Sequence, residues 1–111
     1  CRRAIMDAER RMLSALQIPE REASVIWTSG GTEALNLAIL GTEFSGALQV
    51  DVLSHHAMLE AAKGRAARDN CAVSWHLPWA MERMNGLCGV CHVNNETGYI
   101  AELQQIRTLN F

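Results

Sequence analysis

No apolar run in this sequence approaches the ~20 residues that a bilayer-spanning helix needs, and no signal peptide is recognisable. Charge of one sign is also missing. Ten Lys and Arg stand against twelve Asp and Glu, for a formal net charge of -2, so nothing favours nucleic acid or an anionic membrane as partner. The four cysteines, Cys1, Cys71, Cys88 and Cys91, are too few and too irregularly spaced for a secreted disulfide framework, and a reducing cytoplasm is the expectation. Lysine is rarer still, with Lys63 alone.

What is present suits a globular chain with a real core: 49% of residues are apolar and 20% charged. A length of 111 residues is enough for one domain but not two. The chain starts at Cys1 without a Met, and Phe111 follows a helix-like stretch with no stop signal. It is therefore expected to be a fragment, residues 1–111 forming part of a domain cut at both ends.

Apolar residues Ile5, Met12, Leu13 and Leu16, interleaved with arginines and Glu9, predict an amphipathic helix over 2–17. Pro19 and the polar run after it lead into Ser24-Val25-Ile26-Trp27-Thr28, a short β-branched and aromatic stretch that reads as a strand. A buried helix is expected over 32–40, a second strand over 50–54, and an amphipathic helix over 57–69 with Met58, Leu59, Ala62 and Ala66 inward. Residues 72–76 read as a third strand, Trp79–Asn85 as a turn, 87–93 as a fourth strand and 101–109 as a last helix. Alternating strands and helices imply an α/β fold with a mainly parallel sheet and flanking helices. Ligands of such sheets bind outside the carboxyl ends of the strands. Three of the four expected strand ends carry polar or glycine-rich loops, at 29–32, 54–56 and 94–98.

Ser29-Gly30-Gly31-Thr32-Glu33 is the most informative of these loops. A strand entering a helix through two glycines leaves backbone N–H groups unpaired at the positive end of the helix dipole, a ready anion site to which Thr32 adds a hydroxyl. The bland alternative is a capped helix start with no ligand. His55-His56 reads either as an exposed pair at a helix start or as an imidazole able to stack on a flat ligand. Asn94-Asn95-Glu96-Thr97-Gly98 suits a turn, with Gly98 free to take positive φ, and equally suits hydrogen bonding to a ligand edge.

Cys88-Gly89-Val90-Cys91-His92 formally fits the C-x-x-C-H haem-attachment pattern. Residues three apart on a strand face opposite sides, so these thiols could not clamp one metal or one porphyrin. Buried cysteines acting as small hydrophobes are expected instead, and no metal site. His76 and His92 read as structural, and Arg65, Arg68 and Asp69 as solvated surface.

Taken in order, three segments resemble the cysteine desulfurases of the class V aminotransferase family, fold type I enzymes that use pyridoxal 5'-phosphate (PLP). They are 25–34 with Asn36-Leu37-Ala38-Ile39, then His56-Ala57-Met58-Leu59, then His92-Val93-Asn94-Asn95-Glu96-Thr97-Gly98. The resemblance runs over nearly the whole chain and implies part of the PLP-binding large domain. It implies that Gly31 and Thr32 bind the cofactor phosphate, that His56 stacks on the pyridine ring, and that Asn95 hydrogen-bonds the ring's phenolic oxygen. It also implies a cytoplasmic homodimer that takes sulfur from L-cysteine, leaves alanine and hands a persulfide sulfur to an acceptor protein, as in iron–sulfur cluster biogenesis. A selenocysteine lyase or another class V enzyme shares these cofactor motifs, and a non-catalytic truncated paralogue is the reading from a different class.

Two departures stand out. The family usually has Glu-His where this chain has His55-His56, and the stretch from His56 to Asn95 is shorter than usual. The catalytic groups are absent as well. Lys63 lies mid-helix among charged residues and is rejected as the Schiff-base lysine, and none of the four cysteines occupies the place of the family's nucleophile. The chain alone is expected to be inactive and, with open sheet edges, marginally stable.

Overall fold

The computed structural model of the protein describes residues 1–81 and 86–102. Along these residues run α1 (Arg2–Ala15), α2 (Gly31–Gly41), β1 (Ala47–Asp51), α3 (His56–Asp69), β2 (Val73–His76) and β3 (Gly86–Gly89), with a 3-10 turn at Pro78–Ala80. The strands form one parallel sheet in the order β2-β1-β3, so β1 is central. Leu48 pairs with Val73 on one side and Leu87 on the other. This is the α/β class that the strand–helix alternation implied.

A central strand of a parallel sheet is covered on both faces, and β1 shows it: Leu48, Gln49, Val50 and Asp51 are all buried. Leu48 and Val50 share one face and pack with Ile39 of α2 and Ala61 and Ala62 of α3. The two alanines let α3 lie close to the sheet, and Phe44, Met58, Leu59, Val73 and Leu87 close the rim of the cluster. β3 approaches β1 through Gly86, whose φ is +139°. A Cβ there would run into the carbonyl of Ala47, so only glycine fits.

α2 ends against α3. Arg65 Nη1 donates to the carbonyls of Ile39, Leu40 and Thr42 at 2.9, 3.1 and 2.9 Å, and Arg68 Nη2 donates to Leu40 at 2.8 Å. Two guanidiniums thus satisfy carbonyls that a helix end leaves orphaned, and place positive charge at the negative end of the dipole. Arg65 also lies 4.9 Å over the Phe44 ring and pairs with Asp69. The reading of Arg65 as solvated surface is corrected, because its side chain is only 11% exposed. At the other end Leu35 and Ala38 share an apolar groove with Met58. The helices therefore run parallel, and both start at the carboxyl edge of the sheet.

Several boundaries differ from expectation. Ser24-Val25-Ile26-Trp27-Thr28 is not a strand. Ile26 and Trp27 are exposed, no strand lies beside them among the described residues, and the Trp27 indole instead donates to Glu9 of α1 at 2.8 Å. The strand expected over 50–54 starts at Ala47 and stops at Asp51, because Asp51 Oδ1 accepts the Leu53 N–H at 2.8 Å and its carbonyl accepts that of Ser54 at 3.1 Å, which turns the chain. β3 stops at Gly89 rather than 93, and Val93 instead bridges antiparallel to Ile100. In α1 only Leu13 is buried, while Ile5, Met12 and Leu16 of the expected inner face are exposed. Residues 103–109 of the expected last helix, and 82–85 of the expected turn, lie outside the described residues. No helix of the described residues is long and apolar enough to cross a membrane.

The core cluster makes a direct prediction. Leu48→Ala removes a fully buried side chain from the central strand and should cost about 2–5 kcal/mol in chemical denaturation. A cost below that of an exposed substitution would show that β1 is not the centre of the core.

Candidate functional site

The carboxyl edge of the sheet is organised by two buried polar side chains. Asp51 closes β1; its Oδ1 holds the Leu53 N–H and its Oδ2 receives the Cys91 N–H at 3.4 Å. Asn94 reaches across from the other loop, its Nδ2 donating to the Leu53 carbonyl at 2.6 Å. Asn94 Oδ1 accepts from the N–H groups of Glu96 and Thr97 at 3.0 and 2.8 Å, an Asx-type turn. The main chain of Asn94 completes a small hairpin, accepting from Gly98 and donating to Tyr99, both at 2.9 Å. Gly98 takes φ +74°, as the turn reading required. The polar atoms of Asn94 are thus spent on its own loop and on the 52–54 turn, which leaves its neighbour Asn95 exposed.

α3 starts at the same place. His55 is its N-cap, with Nδ1 accepting the Ala57 N–H at 3.1 Å. That bond fixes the ring and puts the proton of the neutral imidazole on Nε2. His56, the first residue of the helix, is exposed. Between the 52–56 turn, Leu59, Cys91 and the 94–97 loop opens a cavity of about 380 Å3. That volume falls within the roughly 300–1,000 Å3 of small-molecule sites. His56 and Asn95, named from the sequence as ligand contacts, both line it. Ser54 and His55 line it too, although the Ser54 hydroxyl oxygen itself is shielded.

Gly31 and Thr32 form the start of α2, on the same edge of the sheet but not among the residues lining this cavity. The first intrahelical bond runs from the Ala34 N–H to the Gly30 carbonyl at 3.1 Å, so the amides of Gly31, Thr32 and Glu33 precede the ladder. A Cβ at Gly30 or Gly31 would meet nothing within 4 Å. Packing inside this chain therefore does not demand glycine there, and an approaching group meets open backbone. The Glu33 carboxylate turns back to accept from Ser29 N–H at 2.7 Å and Ser29 Oγ at 2.6 Å. These bonds hold the Glu33 carboxyl below the usual carboxylate range. A depressed acid adds stability above its unfolded pKa and loses it as pH falls through the folded one, so this cap weakens only in acid.

The cysteines are free. Cys88 is exposed and Cys91 half-buried, which corrects the expectation of buried thiols; Cys88 sits on β3, the outer strand of the described sheet, with no further described strand beside it. Although the residue as a whole is exposed, partial burial of the Cys88 thiol and then the Asp51 carboxylate push it up from its usual value, which disfavours the thiolate. Among the described residues no group of three or more His, Cys, Asp or Glu is placed to hold a metal ion. Lys63 is exposed and paired with Glu60 at 2.8 Å, away from the cavity. His92 faces the hairpin, its Nδ1 3.2 Å from the Ala101 carbonyl.

The family model for Aminotransferase class-V matches residues 3–110 of the chain. No curated protein and no solved structure matches it.

Asn94→Ala should cost about 2–3 kcal/mol in urea unfolding, because it strands the Leu53 carbonyl and two loop amides. A loss under about 0.5 kcal/mol, the size of an ordinary surface change, would mean that the carboxamide does not hold the two loops together.

Proposed function

The chain belongs to the aminotransferase class V family, and from that premise we propose that it is the cofactor-binding part of a PLP-dependent cysteine desulfurase-like enzyme. The intact protein would remove sulfur from L-cysteine to give alanine and an enzyme persulfide. The observation that carries this reading is the meeting of His56 and Asn95 at one cavity on the carboxyl edge of the sheet, with the open start of α2 on the same edge.

The residues present fit PLP. His56 and Asn95 line the cavity, and at the start of α2 the exposed Gly31 and Thr32 have amides that precede the helical ladder, beside a glycine whose Cβ position is open. In this reading the amides of Gly31 and Thr32, with the Thr32 hydroxyl, hold the phosphate in the field of the α2 dipole. The His56 imidazole covers the ring face, and the Asn95 carboxamide donates to the phenolic oxygen, orienting the ring. When bound, PLP supplies the electron sink that the reaction needs. Asp51 and Asn94 keep the two walls in place. The cofactor-anchoring lysine and the nucleophilic cysteine are assigned to chain outside these 111 residues, which by themselves would not turn over. We place the enzyme in the cytoplasm, where four free thiols persist, as a homodimer that passes sulfur to an acceptor protein for iron–sulfur cluster biogenesis.

These motifs touch cofactor rather than substrate, so a selenocysteine lyase or another class V reaction is the nearest alternative. A non-catalytic truncated paralogue draws on two departures, His55 in place of the usual Glu and the shortened stretch from 56 to 95. Release of alanine and sulfur from cysteine by the full-length protein supports the first reading; release from selenocysteine alone supports the second, and inertness with both supports the third.

In the full-length protein Thr32→Ala should weaken PLP binding by about 1–3 kcal/mol, the loss of a hydrogen bond to a charged group. Asn95→Ala should weaken retention and shift the cofactor's absorbance. Unchanged affinity and spectrum would remove these residues from the site. His56→Ala should also weaken binding; a larger loss from His55→Ala would move the stacking role to the capped ring of its neighbour.

A further inference from the structure

α3 starts on an imidazole. His55 has φ -54° and ψ 141°, outside the helix, while its carbonyl already accepts from the Met58 and Leu59 N–H groups at 2.8 and 3.4 Å. Its ring turns back so that Nδ1 accepts the N–H of Ala57, a buried residue, at 3.1 Å. The first turn holds no acidic residue that could share this work. An imidazole is an acceptor only in its neutral form. Protonation would turn Nδ1 into a donor facing another donor, and would place positive charge at the positive end of the α3 dipole. Both effects have the same sign: the cap holds at high pH and is lost as acid protonates the ring.

The residue that follows is His56, at the cavity. Without its cap the first turn has unsatisfied amides and opens more readily, and the His56 backbone moves with it. We infer that His55 is a positioning residue of this site: its neutral ring caps α3 and so holds His56 against the cofactor, and its protonation loosens that grip. The inference rests on the cofactor reading above. The titratable groups sharing the cavity with His55 are His56 on its own helix and Cys91 and Glu96 on the facing loop. The Asp51 carboxylate, at the end of β1, is held by the Leu53 and Cys91 amides, and Glu60, further along α3, by Lys63.

The test compares full-length wild type, His55→Ala and His55→Asn by PLP titration, followed by absorbance, and by thermal melts of the apoproteins. Both are run at about pH 8 and about pH 5, which bracket imidazole titration. Asn is an acceptor cap that does not titrate. At the higher pH His55→Ala should raise the PLP dissociation constant roughly three- to tenfold, and His55→Asn should stay within about twofold of wild type. At the lower pH wild type should lose both affinity and apoprotein melting temperature relative to His55→Asn, a ratio in which the titration of His56 and of PLP cancels. Equal pH dependence in these two proteins would overturn the inference. So would wild-type affinity in His55→Ala, or binding by His55→Asn as weak as by His55→Ala, which would mean that the ring itself meets the ligand. Failure of wild type to bind PLP would instead remove the cofactor reading, and the positioning role with it, while the apoprotein melts would still show whether the neutral ring caps α3.

Discussion

A single carboxamide joins the two loops on which this site depends. Asn94 and Leu53 are 41 positions apart in sequence, and the 2.6 Å bond from Asn94 Nδ2 to the Leu53 carbonyl brings their loops side by side. The same side chain folds its own loop through Oδ1, so one buried residue fixes both the spacing of the walls and the direction in which Asn95 projects. Asp51 supports it from the end of the central strand by tethering the Leu53 and Cys91 amides. Buried polar networks of this kind rigidify only when fully satisfied, and here the wall-building atoms are.

The rest of the architecture delivers those loops to one edge. A parallel sheet puts the ends of β1 and β3 on the same side, and small residues at Ala61 and Ala62 let α3 return across its face. Arg65 and Arg68 lock the far end of α2 to α3, which keeps the two helices parallel and their starts together. Positive dipole ends therefore gather where strand ends gather, the arrangement that suits an anionic, flat ligand. The wall-building contacts are made by Asp51 and Asn94, which leaves His56 and Asn95 exposed at the cavity.

Much of this was legible in the sequence because it is local. Period and capping marked α2 and α3 to within a residue or so, and the Gly98 turn followed from its neighbours. Errors arose where tertiary partners decide the outcome. Residues 24–28 have the composition of a strand but no neighbour to pair with among the described residues, so β propensity alone misled. The end of β1 was misplaced because the Asp51 carboxylate, and not a glycine or proline, turns the chain there. Arg65 looked like surface because nothing in its own helix reveals the carbonyls it meets on α2. At the sheet edge, motif alone singled out His56 and Asn95, which line one cavity, whereas the bonds by which Asp51 and Asn94 shape that cavity join residues far apart in sequence.

The most direct measurement is a crystal structure of the full-length protein grown with pyridoxal 5'-phosphate. The account predicts the ring between the His56 imidazole and the sheet edge, its phenolic oxygen at Asn95, and its phosphate on the amides of Gly31 and Thr32. Cofactor density on another face, or a phosphate bound away from the start of α2, would contradict it.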